Sequence, residues 1–431
     1  MTQGSSRGRH LIAADRWFAT GSSLVARAAA PAFKGVLDRI DRGLAQGAID
    51  VTLPDGNRRT LGGRAPGPLA DVTLRSWLPL LRLATSGSVG WYRGWAEGEW
   101  TSPDPVPLFE LFVVNRHSLG ETGRAHGTGR ILNRLRHLFR HNDRAGSKAN
   151  IAFHYDLGND FYTAWLDPGM TYSSAIFADP ISADEPLEAA QTRKIRLLLD
   201  RLHLKPGDRL LEIGCGWGSL AEIAARDYGA IVTGITLSPS QKQWAEARIA
   251  SAGLADRVTF ELRDYRDVVE RYDAVASVEM VEALGERYWP DYMIAVSRAL
   301  NPGGRAAIQL ISMEEATWLR YSANADFIQA YIFPGGLLIE EGRFRAAAQA
   351  AGLEWRDRHG FGLHYAETLR RWREDFDRAA LPAGFDRRFA DLWRYYLMYC
   401  EGGFRGGGID VAQVTLVKPQ PELGEAPPPP D

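Results

Sequence analysis

The chain runs to 431 residues, 45% hydrophobic and 24% charged, which exceeds one small core and suits two or three domains. It has no run of 18 apolar residues, and its first residues, MTQGSSRGRHLIAADRW, contain no apolar stretch, so neither a transmembrane helix nor a secretory signal is expected. Its two cysteines, Cys215 and Cys400, rule out a disulfide framework and a cysteine-rich zinc site, which fits a reducing cytoplasm, and the histidines show no metal-ligand spacing. The net charge of −2 conceals an asymmetry: residues 1–150 carry 21 basic against 12 acidic side chains, and the remainder is acidic. A basic front half points to an anionic partner, a membrane surface or nucleic acid, unless its arginines merely cover solvated faces.

Residues 1–30 are rich in Ala, Arg and Ser and carry little patterning. Residues 47–63, GAIDVTLPDGNRRTLGG, read as a hairpin: Ile49, Val51 and Leu53 alternate with polar residues before a Pro54-Asp55-Gly56-Asn57 turn. Strand-then-helix texture continues into a tryptophan-rich stretch with Trp77, Trp91, Trp95 and Trp100, and residues 1–110 read as a small α+β domain. After the break at PDPVP, helices are expected over Leu108–Leu119 and Ile131–Phe139, the second flanked by Arg130, Arg134, Arg136 and Arg140. Residues 111–149 form a basic helical linker on this reading, suited either to an anionic bilayer or to solvent. From residue 150 to 420 strands and helices alternate, which implies a parallel sheet. The expected strands are Arg209–Ile213, Ile231–Ile235, Val258–Leu262, Ala274–Val278 and Arg305–Ile311. The Pro-rich tail 421–431 reads as disordered.

The sharpest local signal is LLEIGCGWGSLAEIAA, residues 210–225. An apolar strand ends in Glu212, turns through Gly214-Cys215-Gly216-Trp217-Gly218 and opens a helix, the context in which glycines let backbone approach a ligand. The spacing is G-x-G-x-G, not the G-x-G-x-x-G of dinucleotide binders, and with the preceding acid it favours S-adenosylmethionine over NAD. The next strand ends in Thr236-Leu237-Ser238, with Ser238 as helix N-cap, Pro239 at the first helical position and Gln241 behind them. After the third strand, Asp264 beside Tyr265 suits an adenine amino group and ring face.

Taken together, HYDLGNDFYTAWLD (154–167), MTYSSAIF (170–177), LEIGCGWGSLA (211–221), GITLSPSQ (234–241), DYRD (264–267), SVEMVEALG (277–285), YIFPGG (331–336), FGLHYAETLRRW (361–372) and YYLMYCEGGF (395–404) resemble the cyclopropane fatty acid synthases, which include the mycolic acid methyltransferases. The resemblance implies an α/β fold, a Rossmann-like class I methyltransferase sheet with a smaller N-terminal α+β domain. It implies methyl transfer from S-adenosylmethionine to a cis double bond of an unsaturated phospholipid acyl chain, followed by proton loss and closure of a cyclopropane ring. It assigns Tyr172 and Ser173 to the cofactor, Gly214, Gly216 and Gly218 to its glycine turn, Thr236 and Gln241 to the ribose and Asp264 and Tyr265 to the adenine. Tyr172, Phe177, Tyr331, Phe333 and Tyr365 are candidates for an electron-rich wall around a cation.

The family abstracts the proton with bound bicarbonate, held by a Cys in the tyrosine-serine motif, a Glu, a later His, a backbone group and a Tyr. The matching positions are Ser174, Glu282, Gln309 and Tyr365, so Glu and Tyr persist while Cys and His are replaced. Three routes stay open: bicarbonate held by Ser174 and Gln309, Glu282 as the base itself, or proton loss from another carbon, which yields a methylene-branched chain. Glu279 adds a nearby carboxylate, read as a structural acid satisfied by backbone amides. His154 is read as structural or gating. The expected partner is unsaturated phospholipid at the membrane surface, with the protein cytoplasmic and peripherally attached; homodimer formation stays open. Nucleic acid is not expected, because the catalytic half is acidic and lacks an aromatic-basic strand motif. Alternatives are a methyltransferase of a soluble small molecule on the same fold and a non-catalytic lipid-binding protein.

Overall fold

The computed structural model describes residues 7–13, 15, 30–120, 157–323 and 326–420. The basic helix expected over Ile131–Phe139, His154 and the tail 421–431 lie outside them.

The hairpin forms as expected. β1 (Ala48–Thr52) pairs antiparallel with β2 (Arg58–Gly62) across the Pro54–Asn57 turn, and β1 also pairs in parallel with β3 (Leu69–Leu74). β4 (Trp100–Thr101) completes a small sheet of order β2-β1-β3-β4. The helix expected over Leu108–Leu119 is two, Val106–Val114 and Arg116–Leu119. The break falls at Asn115, which is buried: its side chain accepts from the amides of Ala45 and Gln46 at 2.8 and 3.0 Å and donates to the carbonyls of Gln46 and Leu111. An amide that satisfies a neighbouring loop stops propagating its own helix. The first of these helices also runs through the domain boundary expected at residue 110.

The large sheet contains the five expected strands as β5 (Arg209–Ile213), β6 (Ile231–Thr236), β7 (Val258–Leu262), β8 (Tyr272–Val278) and β9 (Leu300–Met313). Two more, β10 (Glu354–Gly360) and β11 (Ile409–Val417), extend it to the order β10-β11-β9-β8-β5-β6-β7. β5 to β9 are parallel; β11 runs antiparallel between β9 and β10, in unbroken register with β9 from Ile409↔Met313 to Val417↔Arg305. This is the class I methyltransferase sheet. In such a sheet the parallel strands end on one edge, and ligands bind in the crevice where the strand order reverses, here between β5 and β8.

The small domain does not stand apart. Helix Val106–Val114 and helix Leu78–Ala96 pack against helix Arg387–Arg405, and one apolar cluster runs from Leu37, Ile49 and Trp100 to Trp372, Trp393 and Tyr395. The tryptophans of this region take part in that packing. Trp100 is fully buried, stacks on Trp91 at 4.4 Å and donates to its carbonyl; Trp77 stacks on Phe33 and Trp95 leans on Tyr395. No helix among the described residues is long and apolar enough to cross a membrane.

Candidate active site

A cavity of about 920 Å³ opens at the ends of β5, β6 and β8 and continues between the sheet, helix Arg387–Arg405 and the small domain. Its first end is built from local motifs. After β5, Gly214 (φ 83°) and Gly216 (φ 51°) hold left-handed backbone that side-chain-bearing residues rarely adopt. A Cβ on Gly216 would meet no atom within 4 Å, so this backbone faces open cavity space. At the end of β6, Thr236 Oγ1 donates to Gln241 Oε1 at 3.1 Å and accepts from the Ser238 amide, while Ser238 Oγ caps helix Pro239–Ser251 by accepting from the Gln241 amide. Thr236, Leu237 and Gln241 line the cavity, as do Tyr172, Asp264 and Tyr265. Bare glycine backbone, paired polar groups and an acid beside an aromatic ring fit S-adenosylmethionine.

Other expected cofactor residues support this end from behind. A Cβ on Gly218 would press on Ala245 and Phe260, so this glycine serves helix-to-sheet packing. Cys215 is buried in the core beneath the turn, with burial raising its thiol pKa well above the usual value. Glu212 is buried with Oε2 unpartnered, and desolvation raises its carboxyl well above the carboxylate range. Ser173 Oγ accepts from Lys194 Nζ at 2.6 Å. Lys194 is buried and pushed down to about 8 by desolvation, against the pull of Glu279, Asp167 and Glu212.

The carboxylates form the centre. Three of the four residues assigned to a bicarbonate seat, Ser174, Gln309 and Tyr365, meet on the carboxylate of Glu279. The Ser174 amide donates to Oε1 at 2.9 Å, Gln309 Nε2 to the same oxygen at 2.8 Å and Tyr365 Oη to Oε2 at 2.7 Å. The Ser174 hydroxyl turns away and donates to the Ala175 carbonyl at 3.0 Å. Gln309 Oε1 is taken by Gln413 Nε2 at 3.2 Å. Glu282 stands separately: Oε1 accepts from the Ile311 amide at 2.5 Å, Oε2 has no partner among the described residues, and burial with Glu279 nearby pushes its carboxyl up to about 8. The set does not fit a bound bicarbonate, because Glu279 already engages the donors that would hold it. The reading of Glu279 as an acid satisfied by backbone is corrected: two of its three donors are side chains. Among the described residues no cluster suits a metal ion.

The second end is apolar and aromatic. Tyr172, Phe333 and Tyr365 line it as expected. Phe177 does not: it packs on Ala175 and Ala190 under the Arg371 guanidinium. Neither does Tyr331, which is buried against Tyr92 and donates to Asp15 Oδ1 at 2.9 Å. The sequence reading missed the wall supplied by Tyr395, Tyr396, Tyr399 and Phe404, opposed by Trp91, Phe109 and Phe112 of the small domain. The i, i+4 spacing of Tyr395 and Tyr399 within YYLMYCEGGF was the available signal.

A family model described as mycolic acid cyclopropane synthetase matches residues 142–414. The chain belongs to that family. It is 41% identical over 350 residues to the tuberculostearic acid methyltransferase UfaA1 of Mycobacterium tuberculosis, covering 79% of this chain and 81% of that one. It is 33% identical over 369 residues to the cyclopropane-fatty-acyl-phospholipid synthase of Escherichia coli, covering 83% and 89%. The crystal structure of the mycolic acid cyclopropane synthase CmaA1 complexed with SAH and CTAB superposes with a TM-score of 0.58 at 30% identity, over 63% of this chain and 98% of that one. This family member is an S-adenosylmethionine-dependent methyltransferase. Its small domain, residues 30–114, lies outside the matched region and supplies one wall of the cavity.

Proposed function

We propose that this enzyme transfers a methyl group from S-adenosylmethionine to the cis double bond of an unsaturated phospholipid acyl chain, and that the resulting cation loses a proton to close a cyclopropane ring. The observation that carries this reading is the continuity of one cavity from the glycine turn to a wall of aromatic rings. When bound, S-adenosylmethionine supplies an electrophilic methyl group on a positive sulfonium. An alkene is a weak nucleophile, so the chain's contribution is positioning: Gly214, Gly216, Thr236 and Gln241 hold one partner, and the apolar wall aligns the other. Aromatic faces at Tyr172, Phe333 and Tyr365 stabilise a passing cation by about 0.5–2 kcal/mol each. The same walls exclude water, which would trap the cation as an alcohol. A soluble polar substrate would find few partners there.

A second reading, a methylene-branched acyl product, is kept beside it because the chain is 41% identical to a tuberculostearic acid methyltransferase and 33% identical to a cyclopropane-fatty-acyl-phospholipid synthase. Both readings place the enzyme in the cytoplasm at a membrane surface, where its substrate resides.

The test is incubation of the full chain with S-adenosylmethionine and cis-unsaturated phospholipid vesicles, followed by mass spectrometry and NMR of the lipids. A gain of one CH₂ with cyclopropyl protons is expected. The same gain with olefinic methylene protons establishes the second reading, and no gain refutes both.

A further inference from the structure

We propose that Glu279 is the base of this reaction, a carboxylate built into the chain at the seat where the resemblance places a bound bicarbonate. The inference rests on the acyl-methylation reading above and deepens it.

Position comes first. Glu279 directly follows β8, at the strand-order reversal, and lines the cavity together with Gly214, Tyr172 and Tyr365. Its own backbone is unusual: φ is 47°, left-handed for a residue that bears a side chain, and its amide donates to the Gln309 carbonyl at 2.9 Å. Strain of this kind persists where surrounding structure enforces it, and it collects at functional positions.

Charge comes second. The Ser174 amide and Gln309 Nε2 saturate Oε1, while among the described residues Oε2 accepts only the Tyr365 hydroxyl and keeps a lone pair for an incoming proton. Behind the seat, Lys194 adds a cation that favours the ionised form. Burial raises the Glu279 carboxyl, and these donors oppose that rise. The Glu282 carboxyl accepts from backbone amides, and burial with Glu279 nearby pushes it up to about 8. Two neighbouring carboxyls in unlike surroundings divide into one that holds its proton and one that accepts. Glu282 thus holds its proton near pH 7, and the three donors gathered on Glu279 suit its carboxylate to accept one.

The step balances without a further reagent. A C–H bond of the newly transferred methyl group breaks, and its electron pair forms the closing C–C bond of the ring or, in the branched product, a C=C bond once a 1,2-hydride shift has moved the cation to the methyl-bearing carbon. The proton passes to Glu279 Oε2, and the carboxyl returns it to water after product leaves.

Two variants and one anion test this. In buffer freed of carbon dioxide, the full chain should turn over phospholipid vesicles at the same rate with and without added bicarbonate. Glu279→Gln should lower product formation by a factor of about 10²–10⁴, the range of a lost general base, with S-adenosylmethionine affinity kept within threefold. Glu279→Gly relieves the left-handed backbone and empties the seat, so added bicarbonate or formate should restore part of the turnover. Independently of lipid chemistry, NMR with ¹³C-bicarbonate should detect binding to Glu279→Gly and none to the unaltered chain. Bicarbonate-dependent turnover or bicarbonate binding by the unaltered chain overturns the proposal, as does undiminished product from Glu279→Gln. Absence of any methylated lipid from the unaltered chain defeats the acyl-methylation reading alone, and the NMR comparison still decides who occupies the seat.

Discussion

The two ends of the cavity are built by opposite strategies. The cofactor end is local: strand, glycine turn and helix follow one another in LEIGCGWGSLA, and Thr236, Ser238 and Gln241 lie within six residues. The acyl end is assembled over long range: Trp91 and Phe109 come from the small domain, Phe333 from the segment after β9, and Tyr395, Tyr396 and Tyr399 from one face of the penultimate element. An end made from contiguous sequence accepts a fixed ligand shape. An end made from four separate pieces can change its length by single substitutions without disturbing the first.

That contrast is open to breakage. The largest effect is expected from Gly216→Val. No atom stands within 4 Å of the new Cβ, so folding loses only the cost of a left-handed β-branched residue, roughly 1–2 kcal/mol, while the side chain enters the cofactor space. S-adenosylmethionine affinity should fall at least a hundredfold by calorimetry, with lipid binding retained. Loss of both would show that the ends are not separable.

Tyr365→Phe touches the junction. It removes a hydrogen bond to an ionised group, worth about 1.5–3 kcal/mol, so turnover should drop roughly tenfold or more at unchanged cofactor affinity. With one donor fewer, the Glu279 carboxyl rises further, and the pH at which activity sets in should move upward; an unmoved pH profile would remove Tyr365 from control of that carboxylate.

Cys400→Trp acts only on the acyl end, where Cys400 lines the cavity. Product analysis with phospholipids of graded chain length should show a shift toward shorter chains, with S-adenosylmethionine affinity unchanged. An unaltered chain preference would mean that the substrate does not reach this wall.

The smallest effect is a pH dependence of stability. The Glu282 carboxyl is raised from about 4.5 to about 8, so the folded state binds a proton that the unfolded chain releases. The resulting stability is complete below about 4.5 and is lost as pH rises through 8. Thermal unfolding between pH 5 and 8 should therefore show a falling midpoint, and Glu282→Gln should flatten it; an equal slope in the variant would assign the proton elsewhere.

The asymmetry between the two ends also explains what was legible in the sequence. All five parallel strands and the hairpin were readable, because short apolar runs carry their own signal, sharpened at β5, β6 and β9 by flanking glycine or proline. β11 was not: IDVAQVTLV acquires its place from β9, whose register with it spans residues 409–417. The glycine turn and its polar neighbours were found for the same reason. Glu279 was named but given a backbone-satisfied role, since nothing in SVEMVEALG tells which of two acids three residues apart will meet Ser174, Gln309 and Tyr365. The packing of the tryptophans was not legible, because local sequence cannot say that helix Arg387–Arg405 joins their cluster.

Gln413 lies on that unforeseen strand, and its amide donates to the Gln309 side-chain oxygen and to the Lys194 carbonyl. A glutamine amide could face its neighbour with either end, but this one is pinned, so Gln309 presents only N–H to the carboxylate beside it. An imidazole at that place would exist as two tautomers and could also take up a proton, changing both its hydrogen-bonding sense and its charge. The pinned amide does neither. The antiparallel pairing of β11 with β9 thus fixes the polarity of a bond at the centre of the site, and makes that polarity independent of acidity.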